Sequence, residues 1–234
     1  MANDYWQKRY ERILDESFQK ATLTDEEIKQ QYARALRRME KAINDWYRRF
    51  ANENGITLQE ARKLLDKYEM KAFKMDLKEF EKEAKQFGMS KEHQQMLSNA
   101  SIRERLSREQ MLYINMVHEI EVMAHSQNVS VKSMLDDVYR SSVYKSAYTA
   151  QTQRGTYSMI NSIDGKRVDS VVNSQWANDG QDFSSRIWND KVKLVANLQN
   201  DFTQALMIGQ GADTMADNLS KRMKTSYSNA KRLV

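Results

Sequence analysis

The chain has 234 residues, with 37 Lys and Arg against 32 Asp and Glu, which gives a net charge of +5. It contains 7 glycines, no proline and no cysteine, which argues against turn-rich β architectures and excludes disulfides and thiolate metal sites. Charged residues make up 29% of the chain. The commonest residue types favour helices, so the sequence predicts an all-α protein, with long amphipathic helices in an elongated helical bundle and a smaller C-terminal helical subdomain.

The N-terminal part of the chain predicts two helices. Apolar residues at spacings of three and four predict the first helix over about residues 3–21. Thr24 and Glu27 have the spacing of a capping box, which predicts that a second helix begins there and continues to about residue 54. In "DWYRRF", Trp46 and Phe50 fall on the apolar stripe and the two arginines do not. This run is therefore interpreted as core beside a solvated face, with nucleic-acid binding as the alternative.

A third helix carries an apolar stripe between a cationic edge and an anionic edge. The stripe consists of Met70, Phe73, Leu77, Phe80, Ala84 and Phe87. The cationic edge consists of Lys67, Lys71, Lys74, Lys78, Lys82 and Lys85. Acidic residues precede most stripe positions, so pairing of the two edges with neighbouring helices is favoured, and phosphate binding by the lysine row is the alternative.

The middle of the chain predicts further helices and one boundary. Gly88 and Ser90 mark a break, after which a helical region runs over about residues 91–126 and restarts at Ser130. Residues 141–164 are rich in Ser, Thr and Tyr, which predicts a helix that frays into a connector. The chain is therefore divided into a long-helix region, 1–150, and a C-terminal helical region, 151–234.

Two tryptophans flank a polar turn in "SQWANDGQDFSSRIW". The pattern predicts a short helix over residues 168–176, a turn, and a new helix with Ser184 as its N-cap. Trp176, Phe183 and Trp188 are predicted to close the corner between the two helices, with Arg186 stacking on an indole or reaching outward. This corner is a structural or partner-binding feature that needs no ligand cleft.

No motif predicts catalysis or metal binding. His118, Glu121 and His125 share one helix face, but their spacing is not that of the zinc signature, and three ligands on one straight helix are too far apart for one tetrahedral ion. "GQGAD" lacks a phosphate-binding pattern and predicts a helix end at Gly209 with a new start at Asp213. No catalytic residue, metal, cofactor or small-molecule substrate is therefore predicted.

The basic excess is concentrated at the end of the chain. The last sixteen residues contain five basic residues and no acid: Lys221, Arg222, Lys224, Lys231 and Arg232. Such a local excess predicts contact with DNA or with an acidic partner surface, and an ordinary solvated helix end is the alternative.

Neither a membrane span nor a secretory signal is expected. No apolar run approaches the roughly 20 residues that cross a bilayer. The N-terminus, "MANDYWQKRYERILDESF", lacks the charged-then-apolar layout of a signal peptide. The protein is therefore expected in the cytoplasm or in a particle assembled there.

The C-terminal third resembles a known family. A tryptophan, a glycine-containing turn, "FSSRIW", a helix with a leucine repeat, "LMIGQGADTMADNLSKRM" and "SYSNAKRLV" follow one another in this order. Together they resemble the Mu-type head morphogenesis family, the tailed-phage minor head proteins, over about residues 165–234. In that family the sequence continues beyond the position of "AKRLV". The chain is therefore expected to be truncated, and no C-terminal function of the family is carried over.

The resemblance implies a non-enzymatic minor capsid protein, a virion component that acts in head morphogenesis. Its implied partners are the portal protein and other phage head proteins, and the resemblance leaves open contact with phage DNA during or after packaging. The implied location is the capsid interior or the vicinity of the portal, and the host cytoplasm during assembly. The alternative is a helical nucleic-acid-binding or scaffold protein outside a virion, for which DNA affinity would depend steeply on salt.

Overall fold

The computed structural model describes residues 2–50, 58–175 and 180–233, with side chains from residue 4 onwards. This part of the chain forms eight α-helices, and it contains no strand beyond an isolated bridge between Leu64 and Ser107. The helices are α1 (Ala2–Phe50), α2 (Leu58–Ala61), α3 (Lys67–Gln86), α4 (Lys91–Ile102), α5 (Arg108–Arg154), α6 (Gly165–Val172), α7 (Phe183–Met207) and α8 (Ala212–Lys231). The long helices α1 and α5 pack together. The predicted all-α fold with long amphipathic helices is confirmed.

The predicted break in the N-terminal region is wrong, because α1 runs without interruption from Ala2 to Phe50. Thr24, expected to cap a second helix, is a buried residue within α1. The hydroxyl of the nearby Thr22 donates to the Phe18 carbonyl inside the same helix, at 2.9 Å. No glycine or proline lies between the ends of α1, so a local capping pattern was outweighed by the continuous apolar face.

The predicted restart of a helix at Ser130 is also wrong, because α5 passes through this residue and extends to Arg154. Gln127, Val131 and Met134 are buried at helical spacing, which continues the packed face across the predicted break. In the Ser- and Thr-rich end, the Thr152 hydroxyl donates to the Tyr148 carbonyl at 2.8 Å, so this polar side chain is satisfied without ending the helix. The predicted connector is shorter, and it begins at Gly155.

The ends of the helices follow the local chemistry of their flanking residues. Asp66 caps α3, where its side chain accepts from the backbone of Glu69 at 2.9 Å and Glu69 bonds back to Asp66, a full capping box. Gly88 follows α3 with a φ of 60° and Gly209 follows α7 with a φ of 66°, a left-handed conformation that favours glycine. Both glycine positions agree with the predicted breaks.

Contacts divide the chain into two units, of which the first comprises Met1–Lys29, Gln127–Ile187 and Ala230–Val234. Here the N-terminal part of α1 lies along the C-terminal part of α5, and Lys20 forms an ion pair with Asp137 at 2.5 Å. Helix α6 is capped by Asp164 and buries Val168 and Val172. It ends earlier than the predicted residue 176.

The second unit comprises Gln30–Ser126 and Trp188–Asn229. Trp46 lies in its core, where the indole donates to the Arg108 carbonyl at 3.0 Å and packs edge-on against Phe202. Phe50 is also buried, whereas the Arg48 side chain is 76% exposed. The predicted assignment of "DWYRRF" to core and solvated face is confirmed.

The predicted division into regions 1–150 and 151–234 remains a prediction, because the two units are discontinuous in sequence and do not bear on a family boundary. Among the described helices, none is both long enough and apolar enough to cross a membrane.

Candidate functional site

The second unit contains a buried cluster of titratable side chains that are hydrogen-bonded to one another. We call it the histidine cluster, and it consists of Glu83, Ser90, His93, His118, Glu121 and Lys191. The end of α3, the N-terminus of α4, the first third of α5 and the first part of α7 each supply members. The cluster therefore joins three consecutive helices to α7, which comes much later in the sequence.

A chain of hydrogen bonds determines which ring nitrogen carries the proton in each of the two buried histidines. His118 Nε2 lies 2.9 Å from Glu83 Oε2, and because the carboxylate can only accept, His118 Nε2 donates. The neutral His118 ring then accepts at Nδ1 from His93 Nε2, 3.1 Å away. This leaves the lone pair of His93 Nδ1, which has no hydrogen-bond partner among the described residues. The sequence of donors fixes one tautomer for each ring.

Burial keeps both of these rings neutral. It lowers the pKa of His93 to about 4, although the Glu121 carboxylate acts in the opposite direction. Burial also lowers the pKa of His118, against the opposing effect of the hydrogen bond to Glu83. Phe80 stacks on the His118 ring with a centroid distance of 4.0 Å, which adds to its desolvation. The neutral tautomer chain is therefore the stable form near pH 7.

The carboxylate of Glu121 is held by one cation and one hydroxyl. Its Oε1 accepts from Lys191 Nζ at 2.6 Å and from Ser90 Oγ at 2.7 Å. The same serine oxygen caps α4 by accepting from the His93 backbone at 3.3 Å. The ammonium of Lys191 also lies 5.0 Å from the Trp188 ring centroid. One serine thus couples the start of α4 to a buried ion pair.

One end of the cluster reaches the protein surface. Most donors and acceptors of the cluster bond to one another, although His93 Nδ1 and Glu121 Oε2 are buried without a hydrogen-bond partner among the described residues. Glu83 is the half-exposed end of the cluster, with 48% of its side chain accessible. Within residues 2–50, 58–175 and 180–233, no group of three or more His, Asp or Glu side chains is placed to hold a metal ion. The directional hydrogen bonds of the cluster hold α3, α4, α5 and α7 together.

His118, Glu121 and His125 share one face of α5, as their spacing predicts, but they have different partners. His118 and Glu121 are buried in the histidine cluster, whereas His125 stacks on Phe87 at a centroid distance of 5.3 Å. The sequence analysis missed His93, Ser90 and Lys191. Ser90 does carry an N-cap signal ahead of α4, but nothing in the sequence pairs Lys191 with a residue 70 positions away.

The predicted corner is described only in part. Trp176 lies outside the described residues. Phe183 and Arg186 are half-buried near the start of α7, and Trp188 is half-buried beneath the Lys191 ammonium. The corner itself therefore remains a prediction.

The predicted N-cap of α7 lies two residues later in the sequence than the observed one. Asp182, and not Ser184, accepts from the backbone of Ser185, at 2.6 Å. Ser184 instead receives a hydrogen bond from Asn128 at 2.6 Å. A carboxylate at the helix start outcompetes the hydroxyl because it also interacts favourably with the helix dipole.

The basic C-terminal residues occupy different environments. Arg222 makes a two-pronged pair with Asp201, at 2.7 and 2.9 Å, which joins α8 to α7. Lys231 lies 3.4 Å from Asp25. Lys221 and Lys224 are exposed and make no ion pair within the described part of the chain, and Arg232 is exposed at the end of α8. Lys221 and Lys224 are therefore the members best placed to meet a partner.

The lysine row of α3 is also unpaired. The apolar stripe is largely buried as predicted, with Phe73 and Leu77 at its centre. None of the six lysines forms an ion pair with another described residue, so the favoured pairing with neighbouring helices is not seen in the part of the chain that the structure describes. Five of the six are exposed, Lys74 being half-buried.

Comparison of the chain with protein families, with curated proteins and with solved structures finds no match in any of the three.

Proposed function

We propose that the protein is a tailed-phage minor capsid protein, a non-enzymatic virion component that associates with the portal and other head proteins during head morphogenesis. The observation that carries the proposal is the ordered set of motifs from "FSSRIW" to "SYSNAKRLV" at the end of the chain. This order resembles the Mu-type head morphogenesis family. The protein would act in the capsid interior or near the portal.

The described structure supports this proposal through the way those motifs are used. They form α7 and α8, where Phe202, Leu219 and Met223 are buried and Arg222 is paired with Asp201. These motif residues therefore build a packed helical pair. In the histidine cluster most polar atoms bond to one another, with His93 Nδ1 and Glu121 Oε2 as the atoms without a partner among the described residues. A network that is largely satisfied internally favours a protein that binds other proteins over one that transforms a small molecule.

The basic face of α8 supports a contact with packaged DNA or with an acidic partner surface. Lys221 and Lys224 project from the side opposite the buried Met223 and Ser226. Two unpaired ammonium groups one turn apart suit the spacing of a phosphate backbone or of surface carboxylates.

The proposal is tested by co-purification with the portal protein encoded in the same genome. The tagged chain should retain the portal ring through size-exclusion chromatography, and a portal ring from an unrelated phage should pass through. Mass spectrometry of purified virions should find the chain in few copies. Lack of portal retention together with absence from virions would overturn the proposal. Salt-dependent DNA binding in that case would favour a nucleic-acid-binding protein outside a virion.

A further inference from the structure

An apolar ridge on α1 lies uncovered in the first unit. Tyr10, Leu14 and Phe18 follow one another at intervals of four residues, and their exposed fractions are 38%, 58% and 68%. Four residues advance about 40° around a helix, so the three side chains form one ridge about 12 Å long. Single exposed apolar side chains are common on protein surfaces, whereas three on one helix face form a surface that can bind a partner.

The ridge does not face α5. The residues of α1 that contact α5 include Glu16, which pairs with Lys145, Ser17, which lies 3.5 Å from Ser142, and Lys20, which pairs with Asp137. Glu16 and Lys20 lie about 160° from Phe18 around the helix, whereas Ser17 lies about 100° from Phe18 and about 20° from Tyr10. Leu14 and Phe18 are therefore outside the packing that holds α1 in this unit, and Tyr10 borders it.

The outer edge of the ridge carries two carboxylates, beside a lysine, Lys8, that is paired with Asp4 at 3.0 Å. Glu11 and Asp15 are exposed and lie about 20° and 60° from Phe18, on the side away from α5. Asp15 makes no ion pair with another described residue, and Glu11 accepts a hydrogen bond only from the neutral Gln7 amide, at 2.8 Å. Both negative charges are thus available to a partner.

We propose that this ridge binds an amphipathic helix of a partner protein, with an apolar stripe and with Lys or Arg along one edge. The stripe would cover Tyr10, Leu14 and Phe18, and the basic edge would meet Glu11 and Asp15. The inference goes beyond the proposed virion role and does not depend on it, since it rests on the exposure and charge of α1 alone.

A second copy of this chain fits the ridge poorly. In an antiparallel two-fold pair of helices each edge meets the same edge of its partner, so Glu11 and Asp15 would face Glu11 and Asp15. Like charges at that position are destabilising. In a parallel two-fold pair the acidic edge would meet the side of the partner helix that is occupied by α5. The charge pattern therefore selects a different chain with basic flanks.

The test uses the full chain and two synthetic helical peptides with the same leucine stripe, one flanked by lysines and the other by glutamates. Fluorescence anisotropy should show binding of the lysine peptide and at least tenfold weaker binding of the glutamate peptide. The double variant Leu14→Gln/Phe18→Gln should bind the lysine peptide at least tenfold more weakly. Glutamine is a good helix former, so circular dichroism should remain unchanged.

The chain offers matched controls for both parts of the proposal. Leu23 is 70% exposed and lies about 180° from Leu14 around the same helix, so Leu23→Gln should leave affinity unchanged. Glu11→Gln/Asp15→Asn should weaken binding and flatten its salt dependence, whereas Glu27→Gln/Glu104→Gln, at exposed sites away from the ridge, should do neither.

Three outcomes would overturn the proposal. The first is equal binding of the two peptides, and the second is an equal loss of affinity in the ridge variant and in Leu23→Gln. The third is self-association of the unmodified chain, detected by sedimentation and abolished by Leu14→Gln/Phe18→Gln, which would assign the ridge to a second copy.

Discussion

Lys191 Nζ lies 2.6 Å from Glu121 Oε1, and only 10% and 3% of the two side chains are exposed. The pair connects α7 to the first third of α5, and the Ser90 hydroxyl on the same oxygen adds the start of α4. A buried ion pair of this kind contributes little net stability compared with apolar residues of similar size, yet the loss of either partner strands a buried charge. The buried charge of Glu121 is therefore compensated only while Lys191 is present.

We predict that Lys191→Met destabilises the protein by about 3–5 kcal/mol, because the Glu121 carboxylate would stay buried without its cation. Urea denaturation at pH 7.5 measures this change. The double variant Lys191→Met/Glu121→Leu should recover most of the loss, since it removes both charges. Lys193→Met, at an exposed position two residues away, should change stability by less than about 0.5 kcal/mol. A single Lys191→Met variant as stable as the parent would contradict the burial of this pair.

The neutral histidines predict that acid destabilises the fold. Burial lowers the pKa of His93 from 6.5 to about 4, and it lowers the pKa of His118 and His125 in the same direction. Between pH 6.5 and 4 the unfolded chain binds protons that folded His93 does not, so stability is complete above pH 6.5 and falls as the pH falls toward 4.

Urea denaturation at a series of pH values from 7.5 to 4.5 measures the slope. His93→Leu should give a shallower slope than the parent whatever its stability at pH 7.5, because the slope reports the titration and not the packing. Stability that rises on acidification through this range, or an identical slope in His93→Leu, would contradict the neutral tautomer chain.

The aromatic core of the second unit gives a third prediction. Trp46 is 2% exposed, and its indole bonds to the Arg108 carbonyl while its rings contact Phe50 and Phe202. Trp46→Ala should therefore destabilise the protein by about 3–5 kcal/mol in thermal or urea denaturation. Tyr68→Ala is the control, since Tyr68 is 84% exposed and should contribute less than about 0.5 kcal/mol. Equal effects of the two variants would show that Trp46 is not a core residue.

The sequence predicted the helices better than their boundaries. Apolar spacing repeats along every long helix, so the presence of helices and the core stripe of α3 could be predicted. Capping patterns at Thr24 and Ser130 are local, and they do not end a helix whose apolar face continues on both sides. The Gly88 and Gly209 breaks were predictable because a left-handed residue physically ends the helix.

The candidate site was far less predictable. His118 and Glu121 could be placed on one helix face by spacing alone. Their true partners, His93, Glu83 and Lys191, come from other helices, and helical periodicity carries no information about which helices meet. His125 lies on the same face of α5, as predicted, and it stacks on Phe87, seven residues after the Phe80 that stacks on His118. Pairing across helices is a tertiary property, so it appears only in the structure.

The last prediction tests whether DNA contacts the basic face of α8 or the lysine row of α3. Lys221→Ala/Lys224→Ala should weaken DNA binding and lower retention on heparin, with unchanged thermal unfolding, since both side chains are exposed and unpaired in the described structure. If both ammonium groups contact phosphates, the slope of log affinity against log salt should fall by about two. Arg222 is left unchanged because its pair with Asp201 stabilises the fold.

The matched control is Lys71→Ala/Lys78→Ala on α3, which removes the same charge from two exposed positions. The change in net charge is identical, so any difference between the two variants reports position and not overall charge. A larger loss of DNA affinity in the α3 variant would transfer the phosphate contact to the lysine row. Unchanged affinity in both variants would remove the case for a DNA contact on either helix, and the basic end of α8 would then serve as a solvated helix end.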